Sequence, residues 1–130
     1  MGFRSKKQAE LLTFQKCNEM FKKARYCKYI DQKGVRLENN TYLLQHADCY
    51  CIQFHKTDII DIYPDRWVIR NNGWRTPSTK DRINRMSPIS IEVSKGCWYY
   101  RIGNWTQETH LKDFVNGLTV TKLEVFECMI

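Results

Sequence analysis

TYLLQHADCYCIQFHKTDIIDIYPDRWVIR, residues 41–70, decides the fold. Residues 41–47, 49–55 and 57–63 are rich in β-branched and aromatic side chains, the composition of half-buried strands. Pro64-Asp65 makes a turn, and residues 66–70 return as a further strand. In that strand Trp67 and Ile69 face one way, Val68 and Arg70 the other. Strands that follow one another this closely pair antiparallel. Working toward the C-terminus, Asn71-Asn72-Gly73 is the strongest turn signal in the chain, because Asn and Gly tolerate positive φ. Residues 78–86 predict a short helix, and residues 89–93 and 97–102 a hairpin across Ser94-Lys95-Gly96. Residues 109–115 predict a helical turn ended by Asn116-Gly117, and residues 118–126 a closing strand. Toward the N-terminus, Leu11, Phe14, Cys17, Phe21 and Ala24 recur at three- and four-residue steps, which predicts one helix over about residues 5–25. The expected architecture is a single α+β domain over residues 1–130. Its N-terminal helix packs on an antiparallel sheet, and its short helix follows the Asn-Asn-Gly turn.

Composition narrows the function classes. The chain has 130 residues, 42% of them hydrophobic, with 6 Gly and 3 Pro. These values exclude a disordered tail, a collagen-like repeat and a bare coiled coil. No run approaches the roughly 20 apolar residues of a membrane span. The opening MGFRSKKQAELL lacks the apolar stretch of a signal peptide, so a cytoplasmic location is expected, the host cytoplasm if the chain is viral. The net charge of +7 is unevenly placed: +7 over residues 1–36, −4 over 37–65, +6 over 66–101 and −2 over 102–130. Two basic blocks separated by acidic ones favour a polyanion or an acidic protein surface as partner.

The residues that could do chemistry do not form a recognisable set. Six cysteines allow fifteen pairings, and in a chain without a secretory signal they read as reduced thiols. His46, Cys49, Cys51 and His55 call for comparison with zinc sites, whose cysteines sit two to four residues apart, often at a turn. Here one residue separates Cys49 from Cys51 inside an apparent strand. Alternation along that strand places Cys49, Cys51 and His55 on one face and His46 on the other. No metal site and no cofactor are expected. Asp58 and Asp61 have opposite strand parity, so a straight strand keeps them apart and denies a nuclease its magnesium ligands. His46, His55 and His110 as bases, with Cys49, Cys51 and Cys97 as nucleophiles, complete no triad spacing. No glycine-rich nucleotide loop is present. The chain is therefore expected not to be an enzyme.

Residues 71–86, NNGWRTPSTKDRINRM, carry the functional expectation. Ser78-x-x-Asp81 reads as a capping box, and the helix N-terminus beside Ser78, Thr79 and Lys80 suits a phosphate. Arg82 and Arg85 lie three apart on that helix and Arg75 just before it, an arrangement of guanidiniums that suits phosphate oxygens. Trp74, with Arg66, Trp67 and Arg70 on the preceding strand, offers surface on which a base stacks. Lys22, Lys23, Arg25 and Lys28 form a second basic patch. Trp67, Trp74, Trp98 and Trp105 serve equally well as core residues.

Residues 57–86, TDIIDIYPDRWVIRNNGWRTPSTKDRINRM, also resemble a pattern in small uncharacterised proteins of bacteriophages and prophages. The shared features are Thr57-Asp58, Asn71 to Thr76 with Gly-Trp-Arg-Thr, and Lys80 to Asn84, with Asn40-Thr41-Tyr42-Leu43 also similar. Relatives often carry two Gly before the Trp where this chain has one. The resemblance implies a phage accessory protein, with antagonism of a host defence system of the anti-CRISPR kind as its expected role. The reading is a non-enzymatic inhibitor whose basic surface binds RNA, DNA or a nucleic-acid-handling defence protein. Alternatives are a sponge for a nucleotide second messenger and a small phosphodiester-acting enzyme. A helix-turn-helix repressor is disfavoured, since no second helix follows the first across a short turn.

Overall fold

The computed structural model describes residues 11–103 and 111–128. Among the described residues, ten strands and three helices follow in chain order: α1 Phe14–Met20, a 3-10 turn Phe21–Lys23, β1 Arg25–Cys27, β2 Gln32–Glu38, β3 Thr41–Gln45, β4 Tyr50–Phe54, β5 Thr57–Ile62, β6 Arg66–Ile69, α2 Pro77–Met86, β7 Ile89–Ser94, β8 Cys97–Ile102, β9 Lys112–Asp113, β10 Leu118–Thr121 and α3 Lys122–Cys128. The fold is mostly antiparallel sheet with a few helices. Seven strands form one sheet in the order β1-β2-β3-β4-β5-β6-β10, and β7-β8-β9 form a second.

From β1 to β6 the large sheet is a meander, because each turn between those strands is short. Phe54 pairs with Thr57 across His55-Lys56, two residues that both take positive φ (50° and 66°). That is the turn whose twist matches flanking strands. The sheet's register decides which side chains are buried. Leu43 pairs with Ile52, Ile52 with Ile60, Ile60 with Ile69 and Ile69 with Leu118, so this row faces the core. The core joins that row to Ile83 and Met86 of α2 and to Ile89, Ile91, Trp98 and Tyr100 of the small sheet. Phe14 and Phe21 tilt against Tyr50, with ring centroids 5.3 and 5.6 Å away. Trp67 is buried and its Nε1–H donates to the Leu12 carbonyl at 3.0 Å.

Several boundaries differ from the sequence reading. Residues 5–10 of the expected first helix lie outside the described residues. The helix begins at Phe14, where the Thr13 side chain accepts from the Lys16 N–H, and it gives way to the 3-10 turn at Phe21. Ala24 then turns extended and Arg25 enters a strand, so the apolar periodicity outlasts the helix itself. Strands β1 and β2 have no counterpart in the expected set. Residues 112–113 form β9 rather than a helical turn, and after Thr121 the expected closing strand becomes α3. The Thr121 hydroxyl accepts from the Glu124 N–H at 3.1 Å while Glu124 Oε1 accepts from the Thr121 N–H at 2.8 Å. This reciprocal cap starts a helix inside an alternating pattern.

Candidate functional site

Among the described residues, two places gather polar chemistry, one at the head of α2 and one on the face of the large sheet opposite the core. At the head of α2, Thr76 is the N-cap and Pro77 the first helical residue; the Thr76 hydroxyl accepts from the Thr79 N–H at 3.2 Å. The cap therefore lies two residues before the expected Ser78. Proline suits the first position because its missing N–H would be unpaired there. Asp81 is not a box residue but a partner of Arg85 one turn on, at 2.8 Å. Just before the helix, Gly73 (φ 86°) closes the turn after Asn72, and the Trp74 N–H donates to the Asn71 carbonyl at 2.8 Å. Trp74 is left 59% exposed. It lines a cleft of about 300 Å³ together with Phe54, His55, Ile59, Thr76 and Ser78. Arg75 donates to the Gly96 carbonyl at 3.4 Å, tying this segment to the β7–β8 turn.

The other expected cations are placed elsewhere. Arg82 is bound on every side. Its Nε donates to Thr41 Oγ1 at 2.9 Å, its Nη atoms reach the Ser78 and Asn39 carbonyls, and its guanidinium lies 4.1 Å from the Phe54 ring centroid. Burial pushes its pKa down, against the opposing pull of Glu38. Arg85 holds Glu38 with two bonds of 3.0 and 2.6 Å, and these bonds raise its pKa. Both arginines fasten α2 to the β2–β3 turn. Arg70 pairs with Asp61 at 2.9 Å; burial alone would lower its pKa, and the Asp61 bond together with the charges of Asp61 and its neighbours outweighs that and raises it. Arg66 pairs with Asp65 at 2.8 Å and lies over Tyr63. Lys22 pairs with Glu19 at 3.2 Å, while Lys23 and Arg25 are exposed beside it on the 3-10 turn and β1. The ten expected residues thus fall into separate groups: Trp74 lines the cleft at the head of α2, Arg75 is tied to the β7–β8 turn, and Lys80 lies in the first turn of α2. Trp105 and His110 lie outside the described residues.

The second gathering arises from an irregularity that alternation does not reveal. Ile52 pairs with Ile60 but Gln53 pairs with Asp58, so Ile59 is an extra residue in β5. A bulge of this kind re-aims the side chains that follow. Ile59 and Ile60 are both buried, and Asp58 and Asp61 come to the same face. The expectation that these carboxylates stand apart is corrected by that one inserted residue. The expectation for His46 is corrected too. The segment 46–49 is a tight turn between β3 and β4, with the His46 N–H donating to the Cys49 carbonyl at 2.9 Å, rather than part of one strand. The turn folds His46 back over Cys51. The ligand-capable atoms of His46, Cys51 and Asp58 all lie within 4.8 Å of one another. His55 does not join them; its ring centroid is 4.4 Å from that of Phe54. Gln53 Nε2 donates to Asp58 Oδ1 at 3.2 Å. An open depression of about 600 Å³ covers the group, with His46, Lys56, Asp58, Asp61, Arg70 and Asn72 along it. Cys51 is fully buried, and burial followed by the two neighbouring carboxylates raises its thiol pKa.

A model of the Kyanoviridae Gp96 protein family matches residues 20–121, most of the chain. The chain belongs to this family. It is therefore a bacteriophage protein, as the resemblance read from its sequence implied. No curated protein and no solved structure matches it. The matched span of this Gp96-family chain holds both gatherings, from β1 through β10. Among its described residues, no helix is long and apolar enough to cross a membrane.

Proposed function

We propose that this Gp96-family protein is a non-catalytic binding protein that takes single-stranded nucleic acid on the face around Trp74, and that it acts in antagonism of a nucleic-acid-guided host defence effector. The observation that carries the reading is Trp74 itself. A large aromatic ring is 59% exposed on a cleft at a helix N-terminus, in a segment rich in cations. An exposed tryptophan is an apolar surface without a partner, and a base supplies one by stacking. Phe54 and Ile59 line the same cleft with apolar surface. Arg75, Lys80 and the first turn of α2 offer positive charge to the phosphate that such a base carries. Unpaired bases suit this geometry better than a duplex, whose bases are stacked on one another. Arg82 and Arg85, engaged with Glu38, support the cleft by fixing α2 rather than by touching phosphate.

The test is a salt titration of binding to labelled single-stranded and duplex RNA and DNA. Single strands are expected to bind more tightly, with log K falling linearly in log salt. Trp74→Ala should weaken binding by about 1–3 kcal/mol, the worth of one stacked base. Arg75→Ala and Lys80→Ala should each lower the salt slope by about 0.7, the value for one phosphate on a single strand. Absence of binding at low salt, or binding indifferent to Trp74→Ala, overturns the reading.

A further inference from the structure

We infer that His46, Cys51 and Asp58 are the protein ligands of one divalent cation of the zinc class, held on the outer face of the large sheet with its remaining position open to solvent. The site is distinct from the Trp74 cleft and does not depend on it. Three observations carry the inference. First, an imidazole nitrogen, a sulfur and a carboxylate oxygen lie within 4.8 Å of one another, from three places in the chain: the β3–β4 turn, β4 and β5. Such a mixed N, S, O set selects zinc over magnesium or calcium, which prefer oxygen throughout.

Second, the surroundings orient the donors. Gln53 Nε2 donates to Asp58 Oδ1 and orients the carboxylate, while Asn72 Nδ2 donates to the Asp58 backbone carbonyl at 3.1 Å and holds the main chain beneath it. Metal sites depend on such outer partners for affinity. The nearby Asp61 is neutralised by Arg70 at 2.9 Å. A thiolate, a carboxylate and a neutral imidazole then carry two negative charges, which a divalent cation balances. Third, His46 and Asp58 lie along the open depression, so a tetrahedral ion with three protein donors keeps one position for water or an anion. The bulge at Ile59 belongs to the same device: in an unbulged strand of this sequence, Asp58 would share the core face of Ile60.

The probe is cobalt(II), then zinc(II), added to the full chain after chelation under reducing conditions. We expect one cobalt per chain, with the near-ultraviolet absorption of a thiolate–cobalt bond, displaced by one equivalent of zinc. Cys51→Ser should abolish that absorption, whereas Cys49→Ser and the exposed-thiol variant Cys97→Ser should retain it. His46→Ala, at an exposed position, leaves the fold intact and should weaken zinc binding at least tenfold in competition with a chromophoric chelator. Failure of the folded wild-type chain to show the thiolate–cobalt absorption overturns the site. So does its survival in Cys51→Ser, or unchanged zinc affinity in His46→Ala.

Discussion

Arg85 and Trp74 are eleven positions apart, and the structure gives them opposite work. Arg85 sits with its side chain 25% exposed, bidentate on Glu38 and bonded to Asp81. Arg85→Ala leaves Glu38 with less of its compensation, and should lower stability by about 1–3 kcal/mol in urea unfolding. Nucleic-acid affinity per folded molecule should stay within twofold. Trp74→Ala should do the reverse: binding weakened, urea midpoint unmoved. Reversing the charges of Arg82 and Arg85 together should therefore unfold α2 from the β2–β3 turn rather than give a folded, non-binding protein. The buried thiols set a second prediction at this scale. Burial pushes Cys17 from its ordinary 9.0 up to about 12, and raises Cys49 and Cys51 as well. Below pH 9 both folded and unfolded chains keep the Cys17 proton, and its contribution is fully present. Above pH 9 the unfolded chain releases the proton first, so stability falls by about 1.4 kcal/mol per pH unit for this group until pH approaches 12. Urea midpoints between pH 8 and 11 in reducing buffer check the sign: a midpoint that rises with pH refutes it.

At the scale of elements, turns and register matter more than propensity. Gly34 in β2 shows how closely the strands approach: a Cβ there would meet the Leu43 carbonyl oxygen at 2.9 Å and Ile30 Cδ1 at 2.8 Å. Gly34→Ala should cost about 1–3 kcal/mol, since backbone has to shift to make room. Gly73 is the contrasting case. Nothing lies within 4 Å of a Cβ there, but φ is 86°, so Gly73→Ala should cost only the backbone term of about 1–2 kcal/mol. Thermal denaturation of both variants separates crowding from conformation. These elements also show what could be read from the sequence. The meander from β3 to β6 was legible, because alternation and short turns are local signals. So was the hairpin of β7 and β8, where Lys95 and Gly96 both take positive φ. The position of α2 was legible to one residue, although its cap is Thr76 and not Ser78. The bulge at Ile59 was not, because TDIIDI reads as a regular strand and only the pairing partner reveals the extra residue. Neither was the partner of Arg85: Glu38 lies 47 residues away, and spacing along a helix says which side chains share a face, never what faces them. The gathering of His46, Cys51 and Asp58 stayed hidden for both reasons, a turn taken for strand and a bulge taken for alternation.

For the molecule as a whole, one core serves both sheets and α2, so the Trp74 cleft and the polar group on the outer face share a rigid support. The chain passes from β6 into α2 and the small sheet before β10 returns to pair with β6, Leu118 against Ile69 and Val120 against Trp67. Asn116 fastens that return: its Oδ1 accepts from the Asn71 and Asn72 N–H groups at 2.9 Å, and its Nδ2 donates to Asn72 Oδ1 at 3.1 Å. Asn116→Ala leaves two backbone donors short of a partner and should cost about 1–3 kcal/mol, measured by denaturant unfolding. The path of the chain has a further consequence, in time rather than in space. Pairings from β2 to β6 join neighbours in sequence, whereas β6 with β10 has to close a much longer loop, and local contacts form sooner than distant ones. A chain emerging from the ribosome has its N-terminal part first. The meander, with His46, Cys51 and Asp58 already set by their own turn and bulge, precedes the strand that completes the sheet. The strands that carry His46, Cys51 and Asp58 are therefore expected to pair before β10 closes the sheet, an order that pulse-labelled hydrogen exchange during refolding would show.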